Sequence, residues 1–251
     1  MQPPTGGGSG SSSLTGQMYD SIVGYWPLYE NVASGARHDL SGNGLLLSDS
    51  GLVNTATGQC NAKCANFTAA STNQLSVAGL ALNNTKAHLT IAFLHFATTH
   101  AGAGEQYLTK GTGADGGATT PDWGLSSANP GKLDFIVTDS AHSQKIAEVA
   151  AANSTLYFCV LRYNPRTAKI GISLTAMAAD AISGFTETAM PNPMVDFSAS
   201  NWPLRVSGNG FGGGHFTGTC EELAVLKGYE LSTAQLDSLF QKVRAGRPLF
   251  R

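Results

Sequence analysis

"TLYFCVLRY", residues 155–163, is the stretch on which the fold class turns. Leu156, Tyr157, Phe158, Cys159, Val160 and Leu161 run without a polar break, so odd and even positions are equally apolar. A strand of that kind is buried on both faces. "LTIAFLHF" (89–96) reads the same way, and both belong in the middle of the molecule, between two sheets. "KLDFIVTD" (132–139) behaves differently: Leu133, Phe135 and Val137 alternate with Lys132, Asp134 and Thr138, the pattern of a strand with one wet face.

Working outward, "IVGYWPL" (22–28), "KIGISL" (169–174), "PLRVSG" (203–208) and "TCEELAVLKG" (219–228) are further short segments rich in β-branched and aromatic residues, bounded by Gly, Asn, Asp or Pro. One helix is marked. Ser232 caps it, Gln235 stands three residues on, and Leu236, Leu239, Phe240 and Val243 follow at helical spacing before Gly246 and Pro248 end it. The Ala-rich stretches 146–152 and 176–182 are open between helix and strand. The fold expected is all-β, a two-sheet antiparallel sandwich with one short C-terminal helix.

Composition narrows the function classes. Of the 251 residues 13% are charged and the formal net charge is -2, which gives no electrostatic footprint for nucleic acid. No apolar run reaches membrane-spanning length, so no membrane partner is expected. Residues 1–17, "MQPPTGGGSGSSSLTGQ", lack the basic and apolar regions of a secretory signal and read as a flexible arm ahead of a domain at 18–251. Such an arm is expected to contact other subunits of an assembly. Cys60 and Cys64 in "CNAKC" could pair or join a metal site, with two independent thiols the favoured reading, while Cys159 and Cys220 read as core residues.

In order along the chain, "GYWPLYE" (24–30), "HDLSGNG" (38–44), "ANFTAASTNQLSV" (65–77), "LTIAFLHF", "YLTKG" (107–111), "DWGL" (122–125), "TLYFCVLRY" and "FTGTCEELAVLKGYELSTAQLDSLF" (216–240) resemble the concanavalin A-like, laminin-G-like jelly-roll superfamily. The resemblance spans roughly residues 20–245 and implies a jelly-roll topology. It also implies a structural calcium ion between the D-x-S-G-N-G turn and an acidic pair near the last strand. The matching residues are Asp39, Asn43 and Glu221, with Glu222 beside it; relatives commonly carry Asp where Glu221 stands. The alternative is an Asx turn at Asp39 and Asn43, with the glutamates solvated or hydrogen-bonded.

Other chemistries find less support. Gly208, Gly210 and Gly213 in "RVSGNGFGGGHF" match a dinucleotide fingerprint by spacing, but a strand and not a helix follows, so they read as a turn. Glycoside hydrolysis needs two carboxylates flanking one bond, and the E-x-D-x-E run of the laminarinase-like branch is absent. Glu221 and Glu222 are adjacent, so on a strand they point to opposite faces and cannot flank one bond. No nucleophile motif occurs, and His95 and His215 read as a core or sheet-face residue and a turn residue. Trp123 with Asp122, and Trp202 with Asn201, are the candidates for carbohydrate stacking, with burial the favoured reading for Trp123.

The function expected is a non-catalytic structural or adhesion module at an external surface. The foremost form is a component of a virus particle, such as a phage capsid decoration or tail protein, assembled in the host cytoplasm and displayed on the virion. A secreted or cell-surface lectin domain is the alternative, and a glycoside hydrolase comes third.

Overall fold

The computed structural model describes residues 16–31, 35–69, 73–78, 87–102, 104–111, 123–194, 203–208 and 214–250. Among the described residues it is all-β apart from two helices: α1 (Gly16–Asp20) at the start and α2 (Thr233–Arg244) at the end. Fifteen strands lie between them: β1 (Ile22–Trp26), β2 (Ser48–Ser50), β3 (Asn54–Ala56), β4 (Cys64–Phe67), β5 (Gln74–Val77), β6 (Leu89–Ala97), β7 (Glu105–Lys110), β8 (Trp123–Ser127), β9 (Lys132–Thr138), β10 (Gln144–Ala150), β11 (Thr155–Asn164), β12 (Lys169–Ala176), β13 (Thr186–Ala189), β14 (Leu204–Val206) and β15 (Gly218–Lys227).

Two antiparallel sheets form the sandwich. The eight-stranded sheet runs β13-β12-β11-β6-β15-β4-β3, with β1 also paired to β15; the seven-stranded sheet runs β10-β9-β8-β7-β14-β5-β2. Between them lies one core that joins Phe93, Cys159 and Leu161 of the larger sheet to Leu108, Trp123, Leu125 and Phe135 of the smaller.

The uniform apolarity of β6 and β11 has a different cause from the one expected. Both strands are central in the eight-stranded sheet, but only one of their faces meets the other sheet. On the opposite face Ala92, Leu94, Phe158 and Val160 lie under Leu236, Leu239, Phe240 and Val243 of α2. A helix and a sheet therefore cover the two faces. The α2 side chains are almost fully enclosed, each contributing about 1.5–3 kcal/mol by removal from water.

The start of α2 carries a complete capping box. Ser232 Oγ accepts from Gln235 N and the Gln235 side chain accepts from Ser232 N, an arrangement worth about 1 kcal/mol. Of the two ambiguous Ala-rich stretches, the first is strand β10; the second follows β12 as turn and irregular chain.

Positions 209–213 of the glycine-rich connection lie outside the described residues. Of the strands on either side, β14 is in the seven-stranded sheet and β15 in the eight-stranded one. Gly208 has φ +83°, and a Cβ there would fall 2.4 Å from the His215 ring. Glycine is required at that contact.

Candidate functional site

The decisive local feature lies in the middle of β15. Its first residues, Gly218, Thr219 and Cys220, pair with β4, whereas Leu223–Leu226 pair with β1. Where the outer partner changes, the register with β6 shifts between Glu221 and Ala224, and Glu222 takes φ +59°. This is a β-bulge, and it cancels the alternation expected of adjacent residues. Glu221 and Glu222 consequently reach one common partner: Asn61 Nδ2 donates to Glu221 Oε1 at 3.0 Å and to Glu222 Oε1 at 2.8 Å. The expectation of opposite faces fails because it assumed a regular strand.

Convergence of two carboxylates invites an acid–base reading, and their hydrogen bonds oppose it. Glu221 accepts from three successive backbone N–H groups, Gln59 at 2.7 Å, Cys60 at 2.9 Å and Asn61 at 2.8 Å, as well as from the Asn61 side chain. Burial pushes its carboxyl above the ordinary range, and these donors pull it back. The loop can close this tightly because residue 58 is glycine: a Cβ there would sit 2.8 Å from Glu221 Oε1 and 2.6 Å from Asn61 O.

Glu222 Oε2 accepts from the Tyr25 hydroxyl at 2.5 Å and from Leu249 N at 2.7 Å. The pair thus ties the 59–61 loop, β1 and the C-terminal tail to the bulge. Both glutamates are essentially enclosed, at 3% and 0% exposure, and Glu221 also borders a small hollow of about 230 Å³ with Gly58, Cys64, Leu94 and Phe96.

The calcium set does not assemble either. Asp39 Oδ1 accepts from Tyr25 N and Ser41 N, and Oδ2 from Ser41 Oγ and Leu45 N. The Asn43 side-chain amide donates to Ile22 O, Val23 O and Ser41 Oγ. This is the Asx-turn alternative, pinned against β1. Calcium needs six to eight oxygen ligands, whereas the oxygens of Asp39 and Glu221 face N–H and O–H donors. Among the described residues no group of three or more His, Cys, Asp and Glu could hold a metal. The residues present do not fit the ion.

Trp123 is corrected as a stacking residue. It opens β8 on its inner face, packs in the core between the sheets and is 0% exposed, so no sugar ring reaches it. Asp122, Trp202 and Asn201 lie outside the described residues. Trp26 is also core, with Nε1 donating to Leu45 O. All four cysteines are free thiols, with Cys159 and Cys220 buried as expected.

His95 lies between the sheets, 4.6 Å ring to ring from Tyr107 and 5.6 Å from His100. Burial, reinforced by the neighbouring His100, lowers its pKa to about 3. His100 Nδ1 meets the Tyr107 hydroxyl at 3.0 Å, and that hydroxyl donates to Glu105 Oε2 at 2.9 Å.

One surface feature was not singled out in the sequence. Tyr19, Ile22, Tyr25, Leu40, Ser41 and Phe250 border an open hollow of about 290 Å³ where α1, β1, the 39–44 turn and the C-terminal tail meet. Tyr19 and Leu40 are each 44% exposed. Phe250 meets Tyr19 edge-on at 6.1 Å and Tyr25 at 5.3 Å. Glu222 holds two of these walls, Tyr25 through its hydroxyl and Phe250 through the preceding N–H of Leu249.

No family model matches the chain, and no curated protein does. Solved structures do match. The binding domain of botulinum neurotoxin DC in complex with rat synaptotagmin II aligns with TM-score 0.64 at 10% identity, over 90% of this chain and 52% of that one. The same toxin's binding domain in complex with SialylT gives TM-score 0.63 at 9% identity, with the same coverages. A structure of botulinum neurotoxin type C, described by cell entry dependent on two ganglioside molecules, gives 0.61 at 11%, again over 90% and 52%. The chain spans about half the length of these structures, and at such identities the likeness is one of fold: a β-sandwich shared with toxin binding domains.

Proposed function

We propose that the chain is a non-catalytic carbohydrate-binding module of an external surface, of the concanavalin A-like jelly-roll type. The observation that carries the reading is the saturation of Glu221 and Glu222. The β15 bulge brings two carboxylates together and uses them to hold loops, so this pair is not arranged as an acid and a base flanking a glycosidic bond. Support for a glycan ligand comes from fold neighbours whose descriptions name gangliosides and SialylT. The weakly charged, Gly- and Ser-rich composition suits an exposed module. Trp202, Asn201 and Asp122 remain proposed glycan contacts, and residues 1–15 a proposed arm, Gly16 and Gln17 being part of α1.

A second reading is a virus-particle component, such as a phage capsid decoration or tail protein. It draws on the Gly/Ser-rich first 15 residues, which suit contact with neighbouring subunits. A glycan array probed with the full chain, run beside a reducing-sugar release assay, tests the main reading. Retention of a glycan without release is expected; a blank array or sugar release overturns it. Stoichiometric presence of the chain in a purified particle would establish the second.

A further inference from the structure

We infer that the hollow of Tyr19, Ile22, Tyr25, Leu40, Ser41 and Phe250 seats one neutral pyranose ring of a glycan. The inference rests on the proposed carbohydrate-binding function and gives it a location.

Shape is the first argument. The Phe250 ring stands nearly perpendicular to both tyrosines, at 76° to Tyr19 and 84° to Tyr25. Such a corner offers an aromatic face and an aromatic edge at once, and a pyranose presents an apolar C–H face with hydroxyls around its rim. The volume of about 290 Å³ lies at the small end of ligand pockets, roughly 300–1,000 Å³. It suits one ring, with the rest of a glycan in solvent.

Charge is the second argument, and it selects among ligands that like aromatic walls. A quaternary ammonium or methylated lysine would also fit aromatic rings. Two carboxylates that brace these walls are spent: Asp39 accepts from Tyr25 N of β1 and from Ser41 and Leu45 of its turn, and Glu222 accepts from Tyr25, Leu249 and Asn61. None of the six bordering residues is an Asp, Glu, His, Lys or Arg. An anionic sugar would find no cation among them. A neutral, amphipathic ring remains.

Preorganisation is the third. The deep wall, Tyr25, is 2% exposed and fixed by Glu222, and the outer walls, Tyr19 and Leu40, are each 44% exposed. Glu222 acts as a positioning residue for both inner walls.

The test is saturation-transfer NMR on the full chain with glucose, galactose, mannose and their β-linked disaccharides, beside sialyllactose and choline. Transfer to the C–H protons of a neutral sugar is expected, with affinity falling at least tenfold in Tyr19→Ala and in Leu40→Asp while circular dichroism is unchanged. Glu222→Gln should weaken binding through misplaced walls; Tyr19→Phe should retain the stacking. If the wild type binds a neutral glycan and Tyr19→Ala and Leu40→Asp bind it equally well, the hollow is not the site although the lectin function survives. Transfer only to sialyllactose or only to choline overturns the ligand class, and no transfer to any probe together with a blank glycan array overturns the function itself.

Discussion

Two buried polar groups, one on each face of the eight-stranded sheet, are built in opposite ways. On the outer face, Glu221 and Glu222 meet backbone amides, a carboxamide and a phenol, and their oxygens are satisfied. On the inner face, His95 Nε2 and His100 Nε2 have no hydrogen-bond partner among the described residues. The first arrangement gives each carboxyl oxygen a donor in a dry setting; the second keeps neutral rings packed on aromatic neighbours and penalises any proton that arrives. The acid pair therefore holds loops in place, and the imidazole pair makes the sandwich sensitive to acid.

Removing the outer clasp should have the largest effect. Glu222→Ala leaves the Tyr25 hydroxyl, Leu249 N and part of the Asn61 amide without their acceptor in a buried place. A loss of about 3 kcal/mol or more is expected, seen as a fall of roughly 10 °C in Tm for a chain of this size. A Tm unchanged within 2 °C would mean that the clasp does not hold the tail.

Acid should act on the inner group. Because the folded pKa of His95 lies near 3 and the unfolded value near 6.5, the unfolded chain binds the proton that the folded chain refuses. Stability is then complete above about pH 6.5 and is lost progressively as pH falls toward 3, by roughly 3 kcal/mol at pH 4. Urea unfolding at pH 7 and pH 4 measures it. His95→Leu should flatten the slope; an identical slope in that variant would place the acid sensitivity elsewhere.

The smallest stability effect is expected at the rim of the hollow. Tyr19 is nearly half exposed, and Tyr19→Ala should change unfolding free energy by no more than about 0.5 kcal/mol. A large loss would show that its ring serves the clasp as structure.

Much of the fold was legible because strand signals are local. The alternation in "KLDFIVTD" and the unbroken apolarity of "TLYFCVLRY" name β9 and β11 within a residue or two, and Ser232 with Gln235 names the start of α2. What covers the outer faces of β6 and β11 was not legible, since a helix and a second sheet demand the same apolar pattern.

The site was less legible still. The bulge at Glu222 depends on a change of partner strand from β4 to β1, two segments some 40 residues apart, and no local pattern announces it. Tyr19, Leu40 and Phe250 come from three distant stretches and meet only through the fold. Phe250 stands next to a residue whose N–H is held by Glu222; that long-range bond has no sequence signature.

The bulge carboxylates form a clasp whose oxygens are satisfied by protein donors. Thermal unfolding of the wild-type chain in millimolar calcium and in chelator, with Tyr25→Phe measured in both, tests it most directly. The account predicts one wild-type Tm in the two buffers and a fall of about 1.5–3 kcal/mol in Tyr25→Phe, equal with and without calcium. A wild-type Tm that rises with calcium, or a Tyr25→Phe variant as stable as the wild type, would contradict it.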